Sequence, residues 1–195
     1  MLKDKNVLDR KIRVALFGAG KMAMHHAKAI CLQGNATLIA VADPALIRGE
    51  NLKELEKGVE IYSNAEELLN HIKPEVVHVC TPPATHATLA NLALKHGAHV
   101  YVEKPFTLTA GEATEIISFA KERGLKICAG HQLLYESPAL RADESLAKLG
   151  RIVHIESYFS FKPVRRSKDG RTTISPLDQL VDILPHPVYL LLHFL

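Results

Sequence analysis

Between Lys11 and Ile30 the chain reads KIRVALFGAGKMAMHHAKAI: an apolar strand, then Gly18-Ala19-Gly20-Lys21-Met22-Ala23, then an amphipathic helix. No other stretch restricts the possible folds as strongly. A strand that runs through small residues straight into a helix is the GxGxxG/A fingerprint of a dinucleotide-binding βαβ unit, with Ala23 in the third small position. Gly18 permits the tight turn out of the strand. Gly20 has no Cβ, so a pyrophosphate can reach the backbone. Ala23 lets the helix pack close against the strand. The helix start then offers unpaired N–H groups and the positive end of a dipole. Gly18, Ala19, Gly20, Lys21 and Met22 are the candidate cofactor contacts of this loop.

The context agrees with the fingerprint. A second apolar run, Ala36–Ala42, ends in Asp43, a carboxylate placed to accept bonds from ribose hydroxyls. Beyond it, β-rich apolar runs alternate with helical segments. Strands are expected at 37–42, 60–62, 75–81, 98–103 and 126–130, and helices at 21–32, 45–57, 65–71, 84–96 and 110–123, the last ended by Gly124. Short buried strands separated by helices imply a parallel sheet covered on both faces, a doubly wound Rossmann α/β fold. Ligands of such sheets bind beyond the C-terminal strand ends. Gly18–Ala23, Asp43, Thr81–Pro83, Glu103–Pro105 and His131–Gln132 all fall at those ends.

The pattern changes after about residue 136. A helix over 138–149 ends at Gly150, and 151–161 alternates like a half-exposed antiparallel strand. Residues 162–176 read as a polar loop, and 177–195 as an apolar helix interrupted by Pro185 and Pro187. One long strand forms no sheet alone. The expected division is a Rossmann domain at 1–136 and, at 137–195, the incomplete start of an α+β domain with an antiparallel sheet.

Composition narrows the function classes. The chain has 195 residues, 47% of them hydrophobic, and a formal net charge of +3. That bias is too small to imply nucleic acid. The N-terminus is charged and has no signal-peptide core, and no apolar run is long enough for a bilayer. Cys31, Cys80 and Cys128 form no CxxC pair, so neither a metal site nor a disulfide is expected; reduced core thiols in a cytoplasmic protein are the preferred reading.

Four motifs in order give the chain a specific resemblance. GAGKMAMHHA matches a GxGxxGxxHA pattern, with His26 at the histidine. CTPPATHATLA, Cys80 to Ala90, matches a TPxxxH segment. VEKPFTLT, Val102 to Thr109, holds an EKP triplet, and VDILPHPVYLL, Val181 to Leu191, a D-x-x-x-H motif. The chain resembles the Gfo/Idh/MocA oxidoreductases, named for glucose–fructose oxidoreductase and inositol dehydrogenase, over about the first half of a family member. The resemblance implies a dehydrogenase that moves hydride between a nicotinamide cofactor and a secondary alcohol or ketone of a sugar, inositol or nucleotide sugar. It implies a catalytic group of Lys104, Asp182 and His186, a cis peptide before Pro105, and a homo-oligomeric full-length form.

Residue chemistry is consistent with those roles. The Lys104 ammonium would stabilise a developing alkoxide. His186 would accept the hydroxyl proton. Asp182 shares its helix face at i,i+4 and would set the tautomer of His186 or bind a second hydroxyl. Pro187 stands where the family commonly has an acid. Thr81 and Pro82 are expected to line the nicotinamide ribose, while Thr85 reads as a helix cap. His86 is balanced between cofactor contact and a structural role. Glu103 is read as orienting Lys104 or touching the cofactor, and Gln132 as touching substrate or the nicotinamide amide. His25 and His26 are assigned no chemistry. Lys162, Arg165, Arg166, Lys168 and Arg171 form a basic loop, read as solvated rather than as a phosphate clamp. Asp43 favours NAD, because a 2′-phosphate would meet a carboxylate, and Arg48 keeps NADP open. The alternatives are a non-catalytic dinucleotide-binding sensor, and a carbonyl or imine reductase using NADPH.

Overall fold

The computed structural model describes residues 10–160 and 176–195, without the side chains at 147 and 176–179. The basic loop residues Lys162, Arg165, Arg166, Lys168 and Arg171 lie outside the described residues. The chain divides into two compact units, one through Ala129 and the other from Gly130.

In the first unit six strands form one parallel sheet: β1 (Ile12–Phe17), β2 (Ala36–Ala42), β3 (Glu60–Tyr62), β4 (Val76–Val79), β5 (His99–Val102) and β6 (Ile127–Ala129). Their order is β3-β2-β1-β4-β5-β6, the doubly wound Rossmann arrangement. Between the strands run α1 (Lys21–Leu32), α2 (Leu46–Lys53), α3 (Ala65–Ile72), α4 (His86–Lys95) and α5 (Ala110–Glu122). Because side chains alternate along a strand, β1 feeds two cores. Val14 and Leu16 pack with Ala23, Ala27 and Ile30 of α1 and Leu52 of α2. Ala15 and Phe17 pack with Leu68, Leu69, Ala90 and Ile116 of α3, α4 and α5. Both faces of the sheet are thus buried, as its near-continuous apolar strands require.

Local signals set the helix boundaries. Asn64 caps α3 by accepting from Glu67 N–H at 2.8 Å. Thr109 and Glu112 form a reciprocal capping box at the start of α5. The same helix ends in Gly124 at φ +65°, with bonds from Gly124 N–H to Lys121 O and Leu125 N–H to Ala120 O that close a Schellman turn. α2 is shorter than the expected 45–57. The expected helix over 84–96 begins instead as a 3-10 turn, Pro83–Thr85, ahead of α4.

The register determines where the site lies. Phe17 pairs with Ala42 and with Val79, Ala42 with Tyr62, Val79 with Val102, and Val102 with Ala129. The strands therefore end level with one another. Gly18, Asp43, Cys80 and Glu103 all leave the sheet along one edge.

The second unit holds a 3-10 turn at Gln132–Tyr135, α6 (Ser137–Leu149), α7 (Pro176–Ile183) and α8 (Pro185–Phe194). Within this unit the Gln132–Tyr135 turn is tied to α8 through Leu133 N–H donating to the Tyr189 hydroxyl at 3.3 Å. The apolar C-terminal stretch is interrupted at Leu184, and Pro185 starts α8 at a position where its missing N–H costs nothing. The strand expected over 151–161 is not formed at 151–160. Alternation supplies a face, but a strand exists only by pairing, and no described strand pairs with this segment. Rather than core residues, Cys31 and Cys80 are half-buried and Cys128 is exposed.

Candidate functional site

A cleft of about 850 Å³ opens at the C-terminal edge of the sheet, beside β1, where the strand order reverses. One wall is the glycine loop with Lys21 and Met22, the second is Asp43 with Arg48, and the third is Thr81 and Pro82. Of the expected cofactor contacts, Gly18, Gly20, Lys21, Met22, Asp43, Thr81 and Pro82 meet around this one space.

The two glycines of the loop differ physically. Gly18 sits at φ +91°, and a Cβ there would lie 2.8 Å from the Cys80 carbonyl oxygen. It is glycine because the sheet leaves no room. Gly20 borders the cleft, and a Cβ on it would meet no protein atom within 4 Å. The missing side chain leaves the loop backbone open to the cleft, which fits the close approach of a pyrophosphate. The first turn of α1 carries no side-chain cap and no acidic residue. The starts of α3 and α5 have both. The N–H groups and positive dipole of α1 are thus left for an anion from outside, which fits the pyrophosphate of a dinucleotide.

Asp43 is only 5% exposed. Its Oδ2 accepts from Ala19 N–H and its Oδ1 from Ala45 N–H, each at 2.8 Å. It holds the glycine loop to the end of β2, and Ala19 serves through this bond rather than by lining the cleft. A carboxylate accepts at about four sites, so two backbone bonds leave capacity for ribose hydroxyls. Arg48 Nη1 stands 4.0 Å from Oδ1.

Of the two readings for His86, cofactor contact gives way to the structural role. It is 1% exposed, and its Nδ1 and Nε2 lie 2.7 and 2.9 Å from the carbonyl oxygens of Pro105 and Thr81. Both ring nitrogens face backbone carbonyls rather than the cleft, and the ring fills the space between the Thr81 loop and the Lys104–Pro105 loop. Thr85 does not cap α4 with its side chain; its hydroxyl lies 2.8 Å from the Pro82 carbonyl and 2.7 Å from the Thr81 hydroxyl.

The Lys104–Pro105 peptide is cis. Glu103, 5% exposed, does not border the cleft; its Oε2 accepts from Lys104 N–H at 3.2 Å and its Oε1 meets His26 Nε2 at 2.8 Å. Burial works against its charge, but the His26 bond and the Lys104 N–H outweigh it and hold the carboxyl below its usual range. Of the two readings for Glu103, orientation of the Lys104 backbone fits this geometry. His26, to which sequence reasoning gave no chemistry, is half-buried against this carboxylate, whereas His25 is exposed. The available signal was the HA pair that follows the glycine loop.

Asp182 and His186 belong to the second unit, at the end of α7 and the start of α8. His186 Nδ1 lies 2.8 Å from the Tyr189 hydroxyl, and its ring stacks over Phe159. Tyr189 is buried and stacks on His131, whose pKa burial pushes down. Tyr189 is the partner that sequence reasoning missed; it sits one helical turn beyond the histidine. Gln132 also lies in this unit. Its Oε1 is buried and is the one such side-chain atom among the described residues with no hydrogen bond in the protein.

The profile of the oxidoreductase family with an NAD-binding Rossmann fold, GFO_IDH_MocA, matches residues 12–131. The chain belongs to this family. Among the relatives of this Gfo/Idh/MocA chain, D-glucoside 3-dehydrogenase of Escherichia coli is 32% identical over 145 residues, covering 72% of this chain and 41% of the enzyme. UDP-N-acetylglucosamine 3-dehydrogenase of Acidithiobacillus ferrooxidans is 29% identical over 188 residues, covering 93% of this chain and 53% of the enzyme. The solved structure of GenD2, from gentamicin A biosynthesis, in complex with NAD superimposes with a TM-score of 0.68 at 30% identity, covering 72% of this chain and 40% of GenD2. The chain spans less than half the length of the curated relatives it first matches. Among the described residues, no helix is long and apolar enough to cross a membrane.

Proposed function

We propose that this chain carries the cofactor site and the catalytic lysine of an NAD-dependent dehydrogenase. Its substrate is a secondary alcohol on a sugar, inositol or nucleotide sugar, or the corresponding ketone. The observation that carries the reading is the uncapped start of α1 facing a cleft with Asp43 on its far wall, at the strand-order reversal of the sheet. NAD, when bound, supplies the hydride acceptor. Gly20 and the first turn of α1 hold the pyrophosphate, Asp43 the ribose hydroxyls, and Thr81 and Pro82 the nicotinamide side. Lys104 donates to the substrate oxygen and stabilises it as its charge develops. His186 accepts the hydroxyl proton, and Asp182 binds a neighbouring hydroxyl or fixes the imidazole. Relatives named as sugar dehydrogenases support this substrate class.

The test is calorimetric titration of the chain and its Asp43→Ala variant with NAD⁺ and NADP⁺, followed by a panel of sugars, inositols and UDP-sugars read through nicotinamide absorbance. Binding of NAD⁺ that Asp43→Ala weakens, together with turnover that Lys104→Ala abolishes, supports the reading. Binding without turnover on any of the panel favours the sensor alternative. A folded chain that binds neither nucleotide overturns both.

A further inference from the structure

The sheet face covered by α1 is apolar at β1 and β2 but becomes polar toward β4 and β5. There His78 of β4, Tyr101 of β5 and Glu103 meet His26 of α1. A carboxylate only accepts, so His26 Nε2 donates its proton to Glu103 Oε1 across 2.8 Å. The other nitrogen of the same ring, Nδ1, lies 2.9 Å from His78 Nδ1, and one of the two donates to the other. The His78 and Tyr101 rings stack at 5.0 Å, and His26 meets both at steep angles with centroids 5.1 Å away. His26 is therefore held by two rings and bonded at both nitrogens. At the far end of this chain of bonds, Glu103 Oε2 accepts the N–H of Lys104.

We propose that His26, backed by His78, is a positioning residue of the reaction: it pins Glu103 and so fixes the backbone from which the Lys104 side chain departs. An apolar side chain at 26 would fill a similar volume but leave Oε1 of Glu103, a residue 5% exposed, without its donor. The shifts of the cluster agree with this arrangement. His26 is the chief group opposing the effect of burial on Glu103. Burial lowers the His78 pKa to about 4, so His78 works as a neutral hydrogen-bonding group and not as a second cation. The inference rests on the assignment of Lys104 to the substrate oxygen, but its test does not depend on turnover.

The experiment compares the unmodified chain with His26→Gln, whose amide nitrogen takes the place of Nε2, and His26→Leu. It follows Glu103 by carboxyl ¹³C NMR and Lys104 by its amide signal, with NAD⁺ titration alongside. In His26→Leu the Glu103 carboxyl is expected to titrate above its ordinary 4.5 instead of below, and the Lys104 amide to move. NAD⁺ affinity should stay within about twofold, about 0.4 kcal/mol at 1.4 kcal/mol per tenfold change. His26→Gln is expected to restore both signals. If His26→Leu leaves Glu103 and Lys104 unchanged, the proposal is overturned. Should the leucine variant not fold, the unmodified chain decides: long-range ¹H–¹⁵N spectra must find the proton on His26 Nε2, and a bare Nε2 overturns the proposal. A chain in which His26 passes this test but Lys104→Ala leaves turnover intact would lose the functional reading while keeping the positioning contact.

Discussion

Lowering the pH from 7 to 5 should destabilise this protein, and His78 carries a share of that loss that one substitution isolates. Its imidazole is half-buried between α1 and β5, facing His26, Tyr101 and Glu103. Burial, with a smaller contribution from the charge of His26, lowers its pKa from 6.5 to about 4, while Glu103 opposes the shift. Between those two values the unfolded chain holds a proton that the folded chain refuses. The unfolded state thus binds more protons, and stability falls as the pH falls. From 6.5 down to pH 5 the gap amounts to about 1.5 decades at 1.36 kcal/mol each, or about 2 kcal/mol. Glu103 does not interfere in that window, because a carboxyl held below 4.5 loses its contribution only at lower pH. The assay is urea unfolding at pH 7, 6 and 5 of the unmodified chain and of His78→Asn. Asparagine puts an amide nitrogen near the Nδ1 position and does not titrate. The difference in stability between the two proteins should shift by about 2 kcal/mol against the unmodified chain between pH 7 and pH 5. Parallel curves would refute the reasoning, since they would mean that His78 pays no burial cost in its charged form.

Other substitutions probe the rest of the architecture. Gly18→Ala places a Cβ 2.8 Å from a backbone carbonyl at φ +91°, so it should cost about 1–3 kcal/mol in urea unfolding and weaken NAD⁺ binding in calorimetry. Thr109→Ala removes the capping box of α5 and should lower stability by about 1 kcal/mol with NAD⁺ affinity unchanged. Arg48→Ala removes the cation 4.0 Å from Asp43 and should weaken NADP⁺ more than NAD⁺ by roughly tenfold, about 1.4 kcal/mol; equal losses for the two would exclude Arg48 from 2′-phosphate recognition.

The glycine loop, the strand and helix around it, and the acid after β2 were all legible because each depends on local chemistry: the absence of a Cβ, a period of two or 3.6, a carboxylate at a strand end. The helix starts expected at 65 and 110 belong with them, and the structure caps them with Asn64 and Thr109. The segment at 151–160 misled because alternation describes a face, whereas a strand requires a partner. His86 stayed balanced between two readings for a related reason. Its place in the TPxxxH segment sets it beside the cofactor loop, but its burial between two carbonyls depends on Pro105, which is distant in sequence.

By itself, then, the sequence determined the class of sheet, the identity of the phosphate loop and the residue types brought to its edge, since spacing along the chain decides these. Tertiary structure decided which of those residues face the cleft and which support it. Only register brings Phe17, Ala42, Val79 and Val102 level, so that the loops after them share one space. Only packing takes His26 from a motif position with no assigned chemistry to a bond with Glu103 and gives Asp43 to the Ala19 amide. A hydrogen bond between residues far apart in sequence leaves no local pattern, because neither partner needs a particular neighbour along the chain.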